Sequence, residues 1–428
     1  MTESFLHYVW QFQYFDKKEL SLTTGENLTI LKPGILNTDA GPDFSQAKVK
    51  IDQIAWAGSI EIHLHSSGWY DHQHDADAAY ENVVLHVVWE EDRPVYRKDG
   101  SRLPTVTLNK RVEPHLLKSY LNLVNNPASI PCQNSFAQVS DLIRHSMIDK
   151  AVMQRLERKA GEVLKVLDQN QGDWEETVYQ LLAASFGFKV NTDPFRQLAK
   201  ALPYKLILKH RDQPHQLEAL LFGQAGFLVA RSKDAYLTRL VNEYQFLERK
   251  YNLSTTRLNV AQWKFMRLRP ANFPTLRVAQ FAAFLRSTEN IFSAILEAAQ
   301  YEVVESLLTM EPSLYWKTHY RFGKKAKAEI QGFGEASREM VVINAIAPLL
   351  VAYGKSGDEH RYIDQAVRIL QAVRSESNKI ITLWKKLGCA SQHAWDSQGL
   401  IELFNNFCQR RECLNCSIGS AILKPARA

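Results

Sequence analysis

The chain has 428 residues, 45% of them apolar and 23% charged, the balance of a globular protein with a sizeable core and not of a fibrous or compositionally biased chain. The N-terminal M-T-E-S-F-L-H lacks the basic and apolar parts of a leader, and no uninterrupted apolar run of about 18 residues occurs, so a soluble, cytoplasmic protein without a membrane partner is expected. The net charge of +6 is unevenly held: residues 1–115 carry 11 Lys and Arg against 17 Asp and Glu, which leaves +12 for the rest, an acidic segment suited to cations joined to a basic body suited to a polyanion.

In chain order, the aromatic stretch 5–15 predicts a short helix packed on a sheet. Residues 27–31 predict a strand and Lys32-Pro33-Gly34 a turn. In N-T-D-A-G-P-D-F, the Gly41-Pro42 pair breaks the chain and presents Asp43 at the head of a strand over 47–51. Asp52-Gln53 turns it into G-S-I-E-I-H-L-H at 58–65. Because a strand sends alternate side chains to opposite faces, Ile60, Ile62 and Leu64 face a core while Glu61, His63 and His65 share the other side. Such groups are costly to bury without partners, so they are expected to face a cleft, a metal or one another. A helical turn within 75–82, a buried strand over 83–89 and a hairpin over 95–108 around Asp99-Gly100 complete this sheet-rich part.

Five of the 13 histidines, His63, His65, His72, His74 and His86, fall within 63–86, among Asp43, Glu61, Asp71, Asp75 and Asp77. That density of imidazole and carboxylate is what a metal site needs. His86, flanked by Leu85 and Val87, reads as a hydrogen-bonded core histidine. His72 and His74 read either as ligands or as residues of a surface loop.

After about residue 113 the apolar period becomes helical, as in Ile148, Val152, Leu156, Val163 and Leu167, and again in Trp174, Val178, Leu181, Leu182 and Phe186. Breaks are expected at 191–194, at Pro203 and at 223–226. Two basic segments stand out in this body. Arg267, Arg269 and Arg277 lie in 266–277, and Lys317, Arg321, Lys324 and Lys325 alternate with Trp316, Tyr320 and Phe322 in 316–327. Cations for phosphates and rings for bases make these the expected nucleic-acid contacts. Near the end, a helix over 397–408 capped by Ser397 runs into Cys408, Cys413 and Cys416. Three thiolates need a fourth partner for zinc or an iron–sulfur cluster, and Cys389 is the expected one, with His393 as an alternative. Residues 424–428 read as a frayed tail.

Asp43 after Pro42, followed by Glu61-Ile62-His63, resembles the signature of the PD-(D/E)xK nuclease superfamily over roughly the first 110 residues. The resemblance implies the order helix, strand, strand with the acid, strand with E-x-K, helix, strand. It also implies Asp43 and Glu61 as ligands of Mg or Mn, with His63 at the position of the water-activating Lys. An imidazole there is a departure, since it can accept a proton or ligate a metal as Lys does not. His65 and His74 are further candidate ligands. Some nucleases of this superfamily carry a cysteine-bound iron–sulfur staple, which the C-terminal cysteines resemble. G-P-D-F, G-S-I-E-I-H-L-H-S-S-G-W, R-L-R-P-A-N-F-P, D-S-Q-G-L-I and C-L-N-C also resemble, over nearly the full length, a bacterial family of unknown function.

The sequence therefore predicts an α/β restriction-endonuclease-like domain over 1–113, an all-α body over 114–385 and a cysteine-rich metal knot over 386–428. Its expected activity is divalent-metal-dependent cleavage of DNA or RNA. The alternatives are a nuclease-like binding or scaffold protein without catalysis, and a histidine-rich metal hydrolase of a small molecule.

Overall fold

The computed structural model describes residues 1–228 and 234–424. It divides into two compact units, residues 1–147 with 403–428 and residues 148–402. Cys408, Cys413 and Cys416 therefore belong to the same unit as the N-terminal sheet, whereas Cys389 falls in the other, so the division does not run at 386. The expected frayed tail, Lys424 apart, lies outside the described residues.

The first unit is built on one mixed sheet. Helix α1 (Glu3–Gln11) precedes β1 (Leu28–Lys32), β2 (Ile35–Leu36), β3 (Phe44–Ile51) and β4 (Ile54–His65). A single turn of helix, α2 (Gly68–Asp71), leads to β5 (Val83–Glu90), and β6 (Thr105–Thr107) ends the sheet before α3 (Pro114–Val124). The spatial order is β1-β3-β4-β5-β6, with β2 paired to β3. β1, β3 and β4 form an antiparallel meander, whereas β5 and β6 run parallel to β4. The expected hairpin over 95–108 reduces to a turn at Asp99-Gly100 with a single bridge between Tyr96 and Arg102, because the chain beyond it pairs with β5 instead.

One face of the sheet carries the core. Ile60, Ile62, Leu85 and Val87 pack with Phe5, Leu6 and Val9 of α1 and with Leu116 and Tyr120 of α3. Burying each such side chain is worth about 1.5–3 kcal/mol, which fixes which face of β4 is apolar and so where its polar set must look.

The second unit is helical. The long helix α4 (Asp141–Gln169) enters it, and the helices Pro214–Gln224 and Pro274–Ser287 are buried along most of their length. The expected break at 191–194 is a kink at Asn191 inside one helix, Phe188–Ala201, while Pro203 and Gly226 separate elements as expected. Glu335–Ser356 is the one helical stretch among the described residues long and apolar enough to cross a membrane, and 61% of its most apolar window is buried. The body is not wholly helical, since His319–Arg321 (β7) and Lys324–Lys325 (β8) form a small antiparallel pair. Ser397 caps nothing: the helix there spans Ala394–Glu402, with Ser397 buried inside it.

Candidate functional site

Two register shifts assemble the site. On β3, Ser45 and Gln46 together oppose Ser59 alone, since Ala47 pairs with Gly58 but Phe44 with Ile60. Gln46 takes a left-handed conformation at φ 56° to allow it. A one-residue slip exchanges the faces of a strand, so the bulge sends Phe44 into the core and brings Asp43 level with Glu61. A second shift beside Ser59 pairs Ile60 with Leu85 and Glu61 with His86, which turns His86 to the same side.

The two carboxylates interlock. The Asp43 amide donates to Glu61 Oε2 (3.1 Å) and the Ile62 amide donates to Asp43 Oδ2 (2.9 Å). Glu61 is 5% exposed. Burial, and then the neighbouring Asp43 charge, push its pKa up to about 8. Two imidazoles approach the pair: His7 Nε2, from α1, lies 3.2 Å from Asp43 Oδ2, and His74 Nε2 lies 3.1 Å from Glu61 Oε1. Neither nitrogen makes a hydrogen bond, although both are buried. Burial, then His72, lowers the pKa of His74.

The histidines form a second half. His63 Nδ1 is 2.8 Å from His86 Nε2 and His63 Nε2 is 3.2 Å from His72 Nδ1. Burial, then His86, drives the pKa of His63 down to about 3, and burial does the same to His86. Nitrogens of His63, His72 and His74 all lie within 4.8 Å of one another. His74 is held by stacking on Tyr80, with ring centroids 3.8 Å apart. Gly68 lets α2 pass directly over His63, where an added Cβ would come within 2.7 Å of Cδ2. A cleft of about 340 Å³ opens beside His74, lined by Trp69, Asp77, Tyr80, Arg97 and Lys98 among others.

The structure thus brings together Asp43, Glu61, His63 and His74 of the predicted set. His65 shares their strand face but sits at the exposed end of β4, outside the histidine trio. His72 and His74 are not idle loop residues, and His86 is both a core histidine and the partner of His63. His7 was not foreseen. Its only sequence signal is a lone histidine in an aromatic helix, and the contact to Asp43 depends on how α1 lies against the sheet.

The basic segments divide. Arg277 is a core residue and not a phosphate contact: it donates to Asn272, Gln280 and Ser337, its guanidinium lies 4.4 Å from the Phe188 ring centroid, and burial lowers its pKa to about 10. Trp316 is buried on Phe222, and Phe322 packs on both rings, so these aromatics are core and do not stack on bases. Lys317 is paired with Glu311. Arg267, Arg269, Arg321, Lys324 and Lys325 are exposed. The two segments meet, since Arg321 lies over Phe265 and Phe273 contacts Tyr320.

Among the cysteines, Cys132 lies on a segment hydrogen-bonded to the one that bears Cys408, Cys413 and Cys416, Gln409 donating to the Ser129 carbonyl and Arg411 to the Asn126 carbonyl. Its pKa is pushed up to about 12 by burial and then by Cys416 and Cys413, and Cys408 is raised by burial and then by Cys132, Cys416 and Cys413. Cys389 belongs to the helical unit, where its Sγ faces the Ala390 carbonyl. His393, in the same unit, pairs with Asp396.

Residues 3–379 match the model of one family, described as a protein of unknown function (DUF2851). No curated protein and no solved structure matches the chain.

Proposed function

We propose, for a chain that belongs to the family of unknown function DUF2851, a divalent-metal-dependent nuclease of restriction-endonuclease-like fold that cleaves phosphodiester bonds of DNA or RNA. The observation that carries this reading is the interlocked Asp43–Glu61 pair with the unsatisfied nitrogens of His7 and His74 turned toward it. A cation between these oxygens and nitrogens would remove the cost of burying the pair, so the residues fit a metal. Their mixed oxygen and nitrogen donors suit Mn better than Mg. The element order supports the fold: α1, β1, β3 headed by the acid, β4 carrying Glu61 and His63, α2, then β5 parallel to β4.

In this reading Asp43, Glu61 and His74 hold the metal, which when bound would activate a water and neutralise charge on the phosphate. Burial and the Asp43 charge favour the protonated Glu61, and a bound cation would favour its carboxylate form. His63, at the position the resemblance gives to the water-activating residue and oriented by His86, has Nε2 3.8 Å from Glu61 Oε1 and 3.2 Å from His72 Nδ1. Arg97 and Lys98 at the cleft, and in the helical unit Arg267, Arg269, Arg321, Lys324 and Lys325, meet backbone phosphates.

Labelled single- and double-stranded DNA and RNA in Mn²⁺ or Mg²⁺ test it. Wild type is expected to cleave, and Asp43→Ala and Glu61→Ala to lose about 10²-fold or more. Equal activity in the variants sinks the assignment, and binding without cleavage in wild type selects the catalytically silent alternative. The His63, His72 and His74 trio favours a second reading, a metal hydrolase acting on a small molecule. Metal bound through this trio without any polyanion affinity would select it.

A further inference from the structure

Four of the five cysteines lie on two joined segments of the sheet unit, Cys132 on one and Cys408, Cys413 and Cys416 on the other. Cys408, Cys413 and Cys416 are each less than 9% exposed, Cys132 is partly buried, and none forms a disulfide. Cys413 and Cys132 pack on the same apolar cluster. The two segments that bear them are tied by hydrogen bonds across a sequence distance of nearly 300 residues: Gln409 Nε2 donates to the Ser129 carbonyl (3.1 Å) and Arg411 Nη2 to the Asn126 carbonyl (2.7 Å). Each segment is also braced internally, Asn126 Nδ2 donating to Pro131 O and Arg411 Nη1 to Cys408 O. Gly419 lets the last helix, Ser417–Leu423, press against the Cys413 backbone.

Buried structural thiols usually act as small apolar fillers and do not need one another. These four stand on two segments held together by the hydrogen bonds above, three of them at the close spacing of Cys408, Cys413 and Cys416 and the fourth, Cys132, packed on the same cluster as Cys413. A soft cation gives such a set of thiols a common centre.

We infer that Cys132, Cys408, Cys413 and Cys416 form a four-thiolate metal centre that locks the C-terminal segment onto the loop after α3. Four thiolates with no open position are the donor set of structural zinc and equally of a [4Fe–4S] cluster, and the chemistry common to both is tetrathiolate ligation.

The test uses the full-length chain, purified without oxygen, in three forms: wild type, Cys132→Ser and Cys389→Ser. Metal analysis is expected to give about one zinc per chain, or about four irons with equivalent sulfide and broad visible absorption. Cys389→Ser keeps that content, and Cys132→Ser falls to about a tenth or less. Retention in Cys132→Ser, loss in Cys389→Ser, or a wild type that holds no metal and takes up neither Zn²⁺ nor reconstituted iron and sulfide would each overturn the proposal. Alkylation of the native wild type needs no variant that could misfold. Cys132 is expected to be protected together with Cys408, Cys413 and Cys416 and to become reactive with them on addition of a chelator, and reactivity of Cys132 alone would refute the centre.

Discussion

The sheet unit contains two polar clusters built in opposite ways. The acid–histidine site draws all but His7 from residues 43–86, on neighbouring strands and the turn between them. The cysteine cluster joins residue 132 to residues 408–416. The first is positioned by the sheet itself, so its geometry follows from strand register. The second is carried by turns and helix ends and not by strands, and its order rests on a few hydrogen bonds between its two segments. The strand site is therefore expected to tolerate a local insult as a functional loss, and the cysteine cluster to answer one as a structural loss.

Two glycines put that contrast to the sharpest test. In Gly419→Ala the new Cβ would meet the Cys413 carbonyl oxygen at 2.1 Å, a backbone atom that cannot swing aside. The expected outcome is a loss of about 1–3 kcal/mol or more, with residues 403–424 released to protease while the sheet stays folded. In Gly68→Ala the clash is with the His63 side chain, which can shift only by giving up its contacts to His86 and His72. Cleavage is expected to fall about tenfold with a stability change near 1 kcal/mol. If Gly68→Ala unfolded the protein and Gly419→Ala left it intact, the contrast would be wrong.

A smaller effect separates the two halves of the strand site by pH. Glu61 has a folded pKa of about 8 against 4.5 when unfolded, so the metal-free native state holds a proton that the unfolded chain has released. Its contribution to stability is present below about pH 4.5 and lost as pH rises through about 8, by an amount on the order of a few kcal/mol. His63 acts in the opposite sense, because its pKa falls from 6.5 to about 3: its contribution is present above about pH 6.5 and is lost as pH falls toward about 3. Denaturant midpoints of metal-free protein at about pH 6.5 and about pH 8, a span in which the His63 and His86 contributions are already complete, should fall with rising pH in wild type. In Glu61→Gln the difference should shrink, and an unchanged slope would remove Glu61 as its source.

The smallest effect concerns the basic segments. Lys324→Ala with Lys325→Ala is expected to weaken nucleic-acid binding only several-fold and to lower the salt slope by about two. Arg277→Ala, by contrast, should lower the thermal midpoint, because it leaves Asn272, Gln280 and Ser337 without their shared donor.

How far the sequence reveals all this follows from what each feature depends on. The alternation on β4 is a local property, and it identified the polar face of Glu61 and His63 directly. The bulge at Ser45-Gln46 has no such mark, since neither residue is glycine, and without it the facing of Asp43 could not be derived. The helical periods located α4 and the helix Trp174–Phe186, but helical spacing cannot separate a solvated cation from one enclosed by rings, so Arg277 and Trp316 were misread as contacts. Cysteine spacing singles out Cys408, Cys413 and Cys416 and says nothing of Cys132, whose segment meets theirs only once the chain has closed on itself.

That closure sets a schedule. The sheet unit uses both ends of the chain, with residues 148–402 lying between its two parts. On a ribosome adding about 5–20 residues per second, the segment carrying Cys408, Cys413 and Cys416 emerges on the order of 10–50 s after Cys132. For that interval the N-terminal sheet has its strands but not its last helix, and the helical unit can finish folding first. A nonsense mutation late in the gene would then damage the domain encoded at its beginning.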